Sequence, residues 1–123
     1  MAEVKIEGDV LAIKLSLFDR VLAFHGSFHI PFSHIVNAYV SELEDLQLEY
    51  EIEATNFGLL KTSGVFASPE GLSFVDVGSG NCLVIETRGE RFPKIAVQLR
   101  SGDDPNALAH AIMAKLPDSG PIE

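Results

Sequence analysis

The chain has 123 residues, 46% of them hydrophobic, with 18 acidic against 9 basic side chains and a single cysteine. Such a length predicts one domain with a core of its own, the lone Cys82 excludes an internal disulfide, and a formal net charge of −9 argues against general affinity for nucleic acid, which comes mainly from Lys and Arg neutralising phosphates. The start of the chain lacks an apolar leader and no run of roughly 18 apolar residues occurs, so neither a signal peptide nor a membrane helix is expected, and the expected compartment is cytoplasmic.

Val4 and Ile6, then Leu11, Ile13 and Leu15, recur at period 2, the signature of half-buried strands, with Gly8-Asp9 as the bend between them. Ser16 and Asp19 resemble a capping box, and Phe18, Val21, Leu22 and His25 fall at helical spacing, which predicts a short helix or turn over 17–25. A strand pattern returns at Ser27, breaks at Ile30-Pro31 because proline donates nothing to a ladder, and continues over 35–40. Over 46–54, Leu46, Leu48, Tyr50, Ile52 and Ala54 share one parity while Gln47, Glu49, Glu51 and Glu53 share the other, predicting a strand with one wet, acidic face. The second half reads as a meander of strands over 62–67, 72–77, 82–86 and 93–100. Its turns are Ser68-Pro69-Glu70-Gly71, Gly78-Ser79-Gly80-Asn81 and Thr87-Arg88-Gly89-Glu90. Asp104-Pro105 then opens a helix carrying Leu108, Ile112 and Leu116 on one side. The prediction is an α+β, mainly β chain of about seven antiparallel strands and one C-terminal α-helix, forming a single domain over 1–116 with a flexible tail at 117–123.

Three stretches carry a family resemblance: His25-Gly26-Ser27-Phe28-His29-Ile30-Pro31-Phe32-Ser33-His34-Ile35; Gly64-Val65-Phe66 through Phe74-Val75-Asp76-Val77; and Leu83-Val84-Ile85-Glu86 to Arg91-Phe92-Pro93-Lys94-Ile95-Ala96-Val97. With the helix they cover residues 10 to 116, and together they resemble a bacterial pleckstrin-homology-like (PH-like) domain. Val75 stands where the family pattern has tryptophan, and the acidic segment 42–53 has no counterpart. The resemblance implies a bent, partly open barrel of two packed antiparallel sheets with the helix plugging one end. It brings no catalytic or ligand motif with it.

Several residue groups bear on chemistry. His25, His29 and His34 lie within ten residues and are candidate zinc ligands, but their spacing, split by Gly26 and Pro31, puts them on neither one strand face nor one helix, which favours separate turn and surface histidines. Cys82 opens an apolar strand with no base or cation beside it, the setting of a small hydrophobe rather than an activated thiolate. Gly78-Ser79-Gly80 precedes a strand, not a helix, so it reads as a hairpin turn rather than a phosphate loop. Glu42, Glu44, Asp45, Glu49, Glu51 and Glu53 lack the central glycine of a calcium loop and read as a solvated face. Phe24, Phe28, Phe32, Phe66, Phe74 and Phe92 read as core. Lys61, Arg88, Arg91 and Lys94 fall in turns or at strand ends and form the candidate anion-binding group, with Glu86 and Glu90 among them as competing partners.

These features lead to a non-enzymatic PH-like interaction or self-assembly domain without a cofactor. It would meet a protein partner, or a second copy in a homo-oligomer, through an exposed sheet edge or the loops at one end. The alternative is a metal-binding protein built on His25, His29 and His34, or an anion- or lipid-binding one using the basic turns. The −9 charge weighs against a membrane lipid.

Overall fold

The computed structural model describes residues 2–15, 27–46, 50–56, 62–78 and 80–116, with backbone alone over 50–56 and at Thr62. The expected helix or turn at 17–25, His25, Lys61 and the tail 117–123 lie outside the described residues. Within them the chain is mainly β, with two sheets and one α-helix.

The first sheet has the order β1-β2-β3, from Ala2–Glu7, Val10–Leu15 and Phe28–Pro31, all antiparallel. Gly8, at φ +63°, takes the left-handed conformation that lets two residues join β1 to β2 in register from Glu7 opposite Val10 to Ala2 opposite Leu15. Period 2 then divides the sheet. Val4, Leu11, Ile13, Leu15 and Ile30 are buried in the core, while Lys5, Lys14 and His29 are exposed on the other face.

The second sheet has the order β4-β8-β9-β7-β6-β5, from β4 Ile35–Glu42, β5 Tyr50–Asn56, β6 Thr62–Ser68, β7 Gly71–Val77, β8 Asn81–Thr87 and β9 Lys94–Val97. The expected meander is corrected here. β7 and β8 do not pair, because β9 inserts between them, parallel to β7 and antiparallel to β8. The strands on either side of the expected hairpin turn, β7 and β8, are therefore separated by β9 rather than paired as a hairpin. All four residues of β9 are buried, and a strand apolar on both faces belongs in the middle of a sheet, where it gains cover on each side. The two sheets do not close into a barrel.

Alternate residues of the central strands supply two cores. Phe74, Leu83, Ile85, Ile95 and Val97 pack with the first sheet and with helix α1, Pro105–Lys115. On the opposite face Val75, Val77, Cys82, Val84 and Ala96 form a smaller cluster with Phe66 and Leu46. Leu46 follows a single 3-10 turn at Leu43–Asp45 and β5 is described from Tyr50, while residues 47–49 of the expected strand lie outside the described residues. A register shift between Glu51 and Glu53 also breaks the single parity assigned to that strand. Helix α1 starts as expected: the Asp104 carboxylate accepts from the Asn106 N–H at 3.0 Å and Pro105 occupies the first turn. Buried Ala109 and Ile112 seat it against β4 and β8.

Candidate functional site

Arg88, Arg91 and Lys94 of the expected basic group fall at one end of the six-stranded sheet, where three turns meet. The 3-10 turn Phe32–His34 precedes β4, residues 69–70 join β6 to β7, and residues 88–93 join β8 to β9. Backbone bonds hold the meeting: the Arg88 N–H donates to the His34 carbonyl at 2.8 Å, and the Thr87 N–H to the Pro93 carbonyl at 2.9 Å. Two of the cations there already have partners. Lys94, 6% exposed, lies with Nζ 3.3 Å from the Glu70 carboxylate. Arg91 stacks its guanidinium 4.9 Å over the Phe92 ring. Arg88 remains exposed on the turn. The two neighbouring carboxylates are likewise engaged: Glu86 accepts from the Tyr39 hydroxyl at 3.0 Å, and Glu90 pairs with His34 Nδ1 at 2.7 Å. The cluster thus ties turns together rather than converging on one anion.

The other groups can be placed as firmly. His29 is exposed on the outer face of the first sheet, whereas His34 belongs to the turn cluster. Among the described residues no three ligand-type side chains come together as a metal set. Cys82 is fully buried, its Sγ 3.4 Å from the Ser41 carbonyl; burial, then the nearby Glu44 charge, push its thiol up to about 11. Phe32, Phe66, Phe74 and Phe92 are buried, and Phe28 meets Phe74 edge-on with ring centres 4.9 Å apart. Among the described residues no helix is long and apolar enough to cross a membrane.

A feature that no motif announces is the outer edge of β1. There the Ala2 N–H donates to the Gln98 carbonyl at 2.9 Å and the Arg100 N–H to the Ala2 carbonyl at 3.0 Å, one parallel bridge of a strand pair. The chain then turns away at Ser101-Gly102. Because strand polar groups alternate sides, the N–H and C=O of Val4 and Ile6 point to the same edge as those of Ala2, and among the described residues no backbone group bonds them there. Beside this edge runs a hollow of about 410 Å³, lined by Val4 and Lys5 of β1, Arg100 and Asp103 of the following loop, and Ala107, Leu108 and Ala111 of α1. Its floor is apolar. Its rim is ion-paired: Lys5 and Arg100 lie 3.1 and 3.4 Å from the Glu3 carboxylate, and Arg100 lies 3.1 Å from Asp103. The Lys5 hydrogen bond above all, with the charges of Arg100, Lys5 and Lys14, holds the Glu3 carboxyl below its ordinary value against a smaller effect of burial. Only the period-2 pattern of β1 hinted at such an edge in the sequence; the neighbouring helix wall comes from residues a hundred positions away.

Comparison of the chain with protein-family models, with curated proteins and with solved structures finds no match.

Proposed function

We propose that the chain is a non-enzymatic PH-like interaction domain that takes an extended protein segment along the free edge of β1, beside α1. One observation carries this reading: the strand that pairs with Ala2 leaves after a single bridge, so the edge at Val4 and Ile6 continues open next to an apolar-floored hollow. An added strand would complete those hydrogen bonds, and alternate side chains would enter the hollow against Leu108 and the small Ala107 and Ala111. The PH-like assignment draws on two sheets with a C-terminal helix packed against one of them, together with the sequence resemblance. The basic turns offer a weaker case, since Lys94 and Arg91 are already engaged.

Selection of extended peptides from a random displayed library, followed by amide exchange, tests the reading. Selected peptides are expected to slow exchange at Val4 and Ile6, and to bind at least about tenfold more weakly to an Ala111→Trp variant, which fills the hollow at an exposed helix position. Peptides that bind without affecting either amide, or equally well to both proteins, overturn it.

A further inference from the structure

We propose that the occupant of the β1 edge is the β1 strand of a second copy, paired antiparallel about a two-fold axis through Ile6, so that the three-stranded sheets of two chains join into one of six. This rests on the edge-pairing reading above and names the partner.

Register selects this pairing. In an antiparallel pair the residues whose polar groups face the partner form hydrogen-bonded pairs, and the residues between them lie opposite each other at the closest approach. On β1 the first set is Ala2, Val4 and Ile6, and the second is Glu3, Lys5 and Glu7. Four symmetric registers are therefore worth comparing. Centring on Val4 calls on Ala2, whose N–H and C=O are already taken by Gln98 and Arg100. Centring on Lys5 sets Lys5 against its own copy and Glu3 against Glu7, all like charges. Centring on Glu7 sets Glu7 against its own copy and leaves Val4 without a partner, because the residue due opposite it, Val10, already lies on β2. Centring on Ile6 uses only open groups and sets Lys5 of each chain against Glu7 of the other, twice by symmetry.

The surroundings agree. Lys5 and Glu7 are both exposed, and Ile6 is only partly buried, so the pairing covers an apolar side chain that the single chain leaves half wet. The residue brought opposite Val4, which lines the hollow together with α1, is Gly8 of the second copy. It is a glycine around which an added Cβ would meet nothing within 4 Å, so the hairpin tip enters beside Ala107 and Ala111 without a side chain. The next residue, Asp9, comes opposite Glu3, where Arg100 already sits 3.4 Å from the carboxylate and can serve both.

Sedimentation equilibrium of the wild-type chain and three charge variants decides the matter. The wild type is expected to dimerise. Lys5→Glu and Glu7→Lys should each weaken that dimer by roughly ten- to a hundredfold, since either change creates two like-charge contacts. Mixing the two variants should restore association as a one-to-one heterodimer, and the double exchange Lys5→Glu/Glu7→Lys should dimerise on its own. Glu7 is exposed, so loss of fold does not explain its effect, and circular dichroism of each variant checks this. A monomeric wild type at its highest soluble concentration overturns the proposal, as does a dimer indifferent to both single variants. If the wild type is monomeric but selected peptides still protect Val4 and Ile6, the copy pairing fails while the edge reading stands; if neither occurs, both fall.

Discussion

His34 Nδ1 lies 2.7 Å from a carboxylate oxygen of Glu90, a residue 56 positions further along the chain. The contact joins the turn that starts β4 to the turn that ends β8, where the Arg88 N–H donates to the His34 carbonyl, so two loops are fastened by a side-chain pair and a backbone bond together. Gly89 sits between them at φ +72°.

Glu90→Ala should cost about 0.5–1 kcal/mol in urea unfolding, the scale of a half-exposed pair. Gly89→Ala should cost about 1 kcal/mol or more. Its Cβ would lie 3.8 Å from the His34 ring, an ordinary contact, so the loss would come from the left-handed backbone alone. A Gly89→Ala protein as stable as the wild type would contradict the conformation described for this turn.

Glu70 and Lys94 provide an acid-sensitive contact. Burial raises the Glu70 carboxyl, but its own backbone amide and Lys94 outweigh that and hold it below the ordinary 4.5. A carboxyl lowered in the folded state contributes stability that is fully present above 4.5 and is lost as pH falls through the folded value. Glu70→Gln should therefore flatten the stability–pH curve below 4.5. At neutral pH it should cost about 1 kcal/mol by leaving the nearly buried Lys94 cation without its partner, and Lys94→Met should cost less.

At the alkaline end the reporter is Tyr39. Burial first, then its hydrogen bond to Glu86 and that carboxylate's charge, raise the phenol from 10.0 to about 12. With a folded value above the unfolded one, its contribution is fully present below pH 10 and is lost as pH rises toward 12. Ultraviolet titration should show a late tyrosine step that Tyr39→Phe removes.

Ile112 is fully buried and is the principal anchor of α1 on the sheet. Ile112→Ala should cost about 2–5 kcal/mol, whereas Met113→Ala, at a position 43% exposed, should be nearly silent. Thermal melts of the two variants test whether the helix is held by that one side.

The elements governed by neighbouring residues were legible in the sequence. Asp104-Pro105 and the spacing of Leu108, Ile112 and Leu116 identified α1 to within a residue of its ends, period 2 found β1 and β2, and the recurring turn residues bounded β6, β7 and β8. Pairing was not legible. Alternation tells which face a residue takes but not which strand lies beside it, so β9 was read at the end of a meander when its uninterrupted burial puts it in the middle. The same limit hid the candidate site: Val4 and Ile6 mark a strand, but only the departure of the chain at Ser101 leaves their edge open. In the turn cluster, Glu86 and Glu90 were expected to compete for the cations, but they engage Tyr39 and His34 instead, contacts set by the β4–β8 register.

The insertion of β9 between β7 and β8 bears on how the chain is made. Synthesis delivers β7 and β8 before the strand that separates them, so a nascent chain ending near Phe92 holds two long apolar strands with an unfilled slot between them. A hairpin closing directly across Gly78–Asn81 would be the quickest local product and the wrong one. The sheet can be completed only after Lys94–Val97 clears the ribosome, and α1, which covers it, follows later still. Until β9 emerges, the emerged β7 and β8 lack the strand that separates them, and any interval spent in that state prolongs the chain's most aggregation-prone form.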